Sequence, residues 1–306
     1  MLRGGGLVAF PTETVYGLGA DAFNGVAVAR IFSVKARPAF DPLIVHLAEA
    51  AEVGRVADAQ DPRVATLAER FWPGPLTLVL PRRRELPDLV TAGLPSVGVR
   101  VPGHGAARAL IAAAGVPLAA PSANLFGRVS PTSARHVEEA LGDAVAVILD
   151  GGPCRVGLES TVVSLVSHPP VVLRSGGTRR EDLEAALGHP LEVRASSARP
   201  QSPGQLSRHY ATVTPLALLP GAAPEAPPHE GRVGLLALRA APPGAGYAAV
   251  EVLAPDGQLT TAASRLFAAL RRLDGLGLDL ILAEPCPEEG LGHAILDRLR
   301  RAAASR

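Results

Sequence analysis

The sequence predicts an α/β chain, of the α+β twisted-sheet kind, in two units joined by a linker. Three observations carry this. Short Val, Leu and Ile runs alternate with amphipathic stretches at uneven spacing, which argues against a regular βαβ repeat. Periodicity is lost over 194–214, where Ser, Pro and Arg accumulate. Beyond it a second alternation of strands and helices begins. The units so read are 1–193, a linker at 194–214 and a smaller α/β unit at 215–306. With 306 residues, 47% of them hydrophobic, each can bury a core.

LVAF (7–10) and LIVHL (43–47) read as strands, with NGVAVARIFSVKAR (24–37) a helix capped by Asn24 and stopped by Pro38. PRVATLAERFW (62–72) is a second helix, ended by Pro73-Gly74-Pro75. TLVLP (77–81) and SVGVRVP (96–102) follow as strands, then a helix near 104–114 and PLAAPSAN (117–124). SARHVEEALG (133–142) reads as a helix, and AVILD (146–150), STVVSLV (160–166) and VVLRS (171–175) as strands. Thr178 to Glu181 has the spacing of a capping box opening REDLEAALG. In the second unit LALLP, RVGLLAL, AAVEVLAP and LDLILAEP are strands. Residues 259–277 and 292–304 are amphipathic helices, the latter ending in arginines, and 220–231 is a Pro-rich loop. Only MLRGGG precedes the first strand, which predicts a natural start further upstream.

A net charge of +1 gives no global field toward nucleic acid or membrane. Cys154 and Cys286 lack metal-type spacing and fit a reducing cytosol. No apolar run is long enough to span a bilayer, so a soluble cytoplasmic protein is expected. P-loop, GxGxxG, HExxH, zinc-type clusters and the GxSxG elbow are all missing.

What remains is a set of cations and hydroxyls at strand ends. Lys35 is the one lysine among 30 Lys and Arg residues. With Arg37 it closes a helix, where either would complement the dipole; a compact ammonium facing a phosphate is the lysine-specific need. Arg100 shares a strand face with Ser96 and Gly98, a face that is either functional or solvated. His46, among Leu, Ile and Val, reads first as a core histidine. Ser122, Asn124, Ser130 and Thr132 lie in loops that suit anions, or are plain turn chemistry. Arg174 precedes a glycine turn and a helix start, as a phosphate clamp or a surface arginine. Their common theme is an oxyanion-rich ligand.

FPTETVYGLGADA (10–22), the K-x-R of 35–37, the S-x-N of 122–124, WPGPLTLVL (72–80), LESTVV (158–163) and VLRSGG (172–177) together resemble the YrdC-type family. The SPG…RHY linker and GLGHAILDRLRRAA are similar to its longer, two-domain threonylcarbamoyl-AMP synthase branch, so the likeness covers nearly the whole chain. The resemblance implies a twisted-sheet YrdC-like catalytic domain with a positively lined cavity, followed by a Rossmann-like domain. It implies synthesis of L-threonylcarbamoyl-AMP and pyrophosphate from L-threonine, bicarbonate (or CO2) and ATP. The product would pass to a tRNA threonylcarbamoyl transferase complex, with at most weak tRNA contact. Mg2+ would accompany ATP, although no carboxylate cluster stands out to hold it and no metal ligand is assigned.

By match to the family motifs, Lys35, Arg37, Ser122 and Asn124 would act at the phosphates and carbamate. Thr14, His46, Arg100, Ala120 and Ser160 would surround threonine. Arg37, Asp41, Ser96, Ser122, Ser130, Arg174, His209 and Tyr210 would lie along ATP, the last two in a lid. Three departures stand out. Asp41 occupies a position where the family has Asn, PGQLS (203–207) lacks the usual Lys and Tyr, and the family's opening strand and helix are largely missing, which predicts an exposed sheet edge. Two other readings compete. One is a double-stranded RNA or tRNA-binding module without catalysis, which +1 charge and few aromatics disfavour. The other is carbamoyl transfer in metallocentre maturation, which larger, cysteine-richer proteins perform.

Overall fold

The computed structural model describes residues 1–194, 201–205, 209–224, 231–240 and 246–304. The remainder of the linker and of the Pro-rich loop read from the sequence lies outside the described residues. Strands β1 (Val8–Phe10), β2 (Gly17–Asp21), β3 (Ile44–His46), β4 (Leu76–Pro81), β5 (Ser96–Arg100), β6 (Leu118–Ala119), β7 (Thr161–Ser164), β8 (Val171–Arg174) and β9 (Glu192–Val193) form one mixed sheet. Its order is β1-β2-β6-β3-β5-β4-β7-β8-β9. Helices α1 (Gly25–Lys35), α2 (Pro62–Phe71), α3 (Asp88–Thr91), α4 (Gly105–Ala114), α5 (Ala134–Leu141) and α6 (Arg180–Leu187) connect it. The second sheet is parallel, in the order β10 (Leu216–Leu218), β13 (Leu280–Ala283), β11 (Val233–Ala237), β12 (Ala249–Val252), with helices α7 (Leu259–Asp274) and α8 (Gly292–Ala303). The expected fold class is the observed one.

Local chemistry explains most boundaries. Asn24 caps α1, its side chain accepting from the amides of Val26 and Ala27 at 3.1 Å each. The helix stops at Lys35, two residues short of the expected end, because Ala36 turns left-handed at φ 49°. That cap costs about 1–2 kcal/mol in a residue with a Cβ. It also sends Lys35 and Arg37 in different directions.

Four expectations are corrected. GLGAD, read only as part of a motif, is strand β2, paired antiparallel with β1. AVILD is not a strand; Ile148 makes a single bridge to Ala9. That bridge covers the outer edge of β1, since Ala9 N donates to Val147 O and Leu149 N to Ala9 O, so the exposed edge is not observed. Thr178 does not form a capping box: Arg179 is the N-cap, and the Thr178 amide and carbonyl both bond the Thr161 hydroxyl.

The two units share a core. Val15, Val129 and Leu158 of the first and Tyr210 of the linker pack with Leu266, Phe267 and Leu270 of α7 in one buried cluster. Gly157, at φ +70°, lies where a Cβ would come within 2.5 Å of the Ser264 Cα. Only glycine allows that approach of loop to helix.

Candidate active site

Strand direction gathers one end of the large sheet into a cleft. In the parallel pair β3–β5, His46 lies opposite Arg100. Since β4 runs antiparallel to β5 and parallel to β7, the end of β5 meets the start of β7 at Ser160. Arg174 ends β8 beside it. Thr12 and Thr14 from the β1–β2 loop, Ala120 and Ser122 after β6, and Arg37 complete the walls. The cleft is open to solvent on one side, and the volume within it open to the centre of a water-sized sphere is about 50 Å³.

Arginines line it, each buried and held. Arg37 donates to the carbonyls of Asp41 (3.0 Å) and Pro42 (2.8 Å), and its Nη2 lies 3.0 Å from the Asp41 carboxylate. Arg100 donates to Glu13 Oε1 at 2.6 Å and Gly74 O at 3.2 Å; its Nη1 has no partner among the described residues. Arg174 donates through Nε and Nη2 to Ser160 O (3.1 and 2.9 Å) and through Nη1 to Pro203 O (3.0 Å). Ser160 is fixed further by the Thr77 hydroxyl at 2.7 Å.

Carboxylates balance these charges. Burial raises the Glu13 carboxyl, but the Arg100 charge and hydrogen bond outweigh it and the net shift is downward. Glu159 behaves alike: burial raises it, and Arg298 and then Arg174 bring it below its ordinary value. Asp41 goes the other way, since burial outweighs Arg37, Lys35 and Arg174 and pushes it up. His46 and His209 are each pulled down to about 3, chiefly by burial, so both are neutral near pH 7.

Lys35 does not line the cleft. The residue is buried, and its ammonium donates to Ser122 O at 2.7 Å and to Asn124 O, holding the backbone of the loop that carries Ser122. Burial and then the charge of Arg37 hold it well below the usual ammonium range, against Asp41. Asn124 also faces inward, donating to Leu125 O (2.8 Å) and Arg128 O (2.9 Å).

Pro203, Gly204, His209 and Tyr210 form one wall of the cleft. Pro203 accepts from Arg174, and Gly204 at φ +85° would place a Cβ 3.0 Å from Arg174 Cδ. The His209 ring lies 4.1 Å from that of Tyr210 and 6.2 Å from that of Phe126. Tyr210 is itself left-handed at φ 64°, an unusual conformation for a residue with a Cβ, and its ring stacks on Phe267 at 5.4 Å.

Of the residues expected at the site, the cleft therefore brings together Thr14, Arg37, His46, Arg100, Ala120, Ser122, Ser160, Arg174, His209 and Tyr210. Asp41 sits just behind Arg37. Ser96 is not gathered in: it starts β5 while Arg100 ends it, about 13 Å away at strand rise. Ser130 donates to Glu159 Oε1 at 2.6 Å instead of facing the cleft. Motif and spacing passed over Glu13, Glu159 and Arg298. The two glutamates stand inside PTETVYG and LESTVV, where only the cost of burying an unpaired arginine would have singled them out.

Fold and cleft define a two-domain α/β protein with an arginine-lined cleft at one end of its large sheet. Residues 1–176 match the Sua5/YciO/YrdC family model, described as Telomere recombination. Residues 178–304 match that of the Threonylcarbamoyl-AMP synthase, C-terminal domain. The threonylcarbamoyl-AMP synthases of Pyrococcus abyssi and Bacillus subtilis are 43% and 44% identical to the chain, each alignment covering 100% of it and 92% of the relative. The crystal structure of P. abyssi Sua5 complexed with L-threonine superposes with a TM-score of 0.91 at 40% identity, covering 100% of this chain and 92% of that one. A P. abyssi Sua5 variant with an adjacent histidine and tyrosine replaced by alanine gives 0.90 at 39% identity, covering 100% and 91%. The chain belongs to this family of enzymes, the two-domain threonylcarbamoyl-AMP synthases.

Proposed function

We propose that this protein joins L-threonine, bicarbonate (or CO2) and ATP into L-threonylcarbamoyl-AMP, releasing pyrophosphate, for N6-threonylcarbamoyladenosine formation in tRNA. The observation that carries this is the convergence of Arg37, Arg100 and Arg174 on one cleft with the Thr14, Ser122 and Ser160 side chains, in a chain of this family.

Threonine's carboxylate pairs with Arg100, whose Nη1 is available and whose orientation Glu13 holds. Thr14, Ser160 and neutral His46 surround its hydroxyl and amine beside Ala120. The amine adds to CO2, forming a C–N bond and losing a proton to solvent. A carbamate oxygen then attacks the α-phosphorus; that P–O bond forms, the bond to the bridging oxygen of the β-phosphate breaks, and pyrophosphate leaves. Both reactants are anions, so the barrier is repulsion and alignment, which fixed cations and donors lower. Arg37 and the Ser122 hydroxyl serve there, while Lys35 and Asn124 shape the Ser122 loop from behind. Arg174, with His209 and Tyr210, closes over the nucleotide and keeps water from a hydrolysable mixed anhydride.

Mg2+ enters with the triphosphate. Among the described residues no group of three His, Cys, Asp or Glu side chains could hold a metal, and Glu13, Asp41 and Glu159 are all paired with arginines. The described residues thus offer the ion no carboxylate cage. Among the described residues no helix is long and apolar enough to cross a membrane. The product's recipient is a transferase acting on tRNA, within a cytoplasmic modification route.

The test is purified protein with ATP, Mg2+, bicarbonate and L-threonine, followed by rapid mass spectrometry. Threonylcarbamoyl-AMP should form only in the complete mixture. Its absence from folded, ATP-binding protein would refute the reading.

A further inference from the structure

We propose that Arg298, on α8 of the second domain, is a positioning residue for the cleft of the first, holding both its wall and its lid. The inference rests on the reading of that cleft as the ATP site.

Arg298 is fully buried, although it belongs to a helix with Arg300 on its exposed side. Its Nε donates to Glu159 Oε2 at 3.1 Å, and its Nη2 lies 3.0 Å from the same oxygen. The other oxygen of Glu159, a residue of the cleft wall, accepts from Ser130. Nη1 donates at 2.7 Å to the carbonyl of Ser175, the residue after Arg174. The guanidinium carbon sits 5.3 Å from the centre of the Tyr210 ring. One side chain of the second domain therefore touches the wall, the residue beside the Arg174 clamp and the lid.

A buried arginine is costly unless its charge and donors are answered, so this arrangement exists only when the pieces are assembled. Tyr210 lines the cleft and lies against both Arg298 and Phe267, each from the second domain. If the lid lifts, Arg298 loses the ring and Glu159 faces water. The closed state is thus favoured by a group that touches no substrate. The fork is required, because one ammonium cannot bond Glu159 and Ser175 and also stay within reach of the Tyr210 ring.

The experiment uses the full chain with Arg298→Lys, Tyr210→Leu and the double substitution. Hydrogen exchange is read at 209–211, where the Ala211 amide donates to Gly127 O, and the KM for ATP is measured alongside. Arg298→Lys should speed exchange there and raise the ATP KM about tenfold, with β4 and β5 amides unchanged. In the Tyr210→Leu background it should add little, because coupled residues are non-additive. Additive effects, or wild-type exchange at 209–211 in Arg298→Lys, would overturn the proposal. Should wild-type protein make no threonylcarbamoyl-AMP, the reaction is wrong, yet the exchange measurement still decides the role of Arg298.

Discussion

The Lys35 ammonium donates at 2.7 Å to the carbonyl oxygen of Ser122, a residue of the cleft lining. The same nitrogen also bonds the Asn124 carbonyl, so it clasps the loop at two points two residues apart. A lysine is needed because one small, multiply donating nitrogen fits between two converging carbonyls and a broad planar fork does not.

Lys35→Arg should therefore displace the Ser122 loop and cut adenylate formation by about a hundredfold or more, the usual scale for misplacing a reacting group by about 1 Å. Circular dichroism should still report a folded protein. Near-normal turnover in this variant would show that Lys35 does not position the loop.

Glu13 and Arg100 form a buried pair at 2.6 Å. Glu13→Gln keeps an acceptor but loses the charge that aligns the guanidinium. We expect a threonine KM raised about tenfold with kcat little changed, the pattern of lost uniform binding. Arg100→Met should do more harm, since it strands a buried carboxylate at about 3–5 kcal/mol. Denaturant unfolding separates the two effects; equal stability of both variants would contradict the pairing argument.

Asp41 is held by Arg37 and places a negative charge beside the expected phosphate site. Asp41→Asn retains an oxygen for Arg37 and removes the repulsion. The ATP KM should fall several-fold without loss of kcat. A rise in KM would mean that Asp41 is needed to aim Arg37.

Acid should destabilise the protein well above the carboxylate range. His46 and His209 have folded pKa values of about 3, set mainly by burial, against about 6.5 in an unfolded chain. The unfolded state thus binds more protons, so their contribution is intact above pH 6.5 and is lost as pH falls toward 3. Each histidine contributes a slope of about 1.4 kcal/mol per pH unit in that window. His136, pulled down to about 4 by burial, adds to the same decline. Urea unfolding at pH 7, 5.5 and 4.5 should show it, and His46→Gln should remove about a third. A flat profile down to pH 5 would place these rings in water.

Most of the element positions are legible in the amino-acid sequence. Hydrophobic runs, Asn24, Pro38 and the polar stretch after 193 locate them, because caps, breakers and periodicity act over a few residues. The errors have local causes too. Three residues of strand pairing in GLGAD carry no alternation to detect, and the Thr178 backbone is bonded to the Thr161 hydroxyl while Arg179 takes the N-cap place.

The motifs by themselves determined which residue types the chain offers: arginines, a lone lysine and hydroxyls at strand ends, which suit oxyanions. Only the tertiary structure decided which of them share a cleft. Strand direction brought Arg100, Ser160 and Arg174 together and left Ser96 at the far end of β5. Burial turned Lys35 inward to the backbone and paired Arg100 with Glu13 and Arg298 with Glu159 across 139 residues of chain. A charge removed from water must find its counter-charge in space, and distance along the sequence does not record that distance.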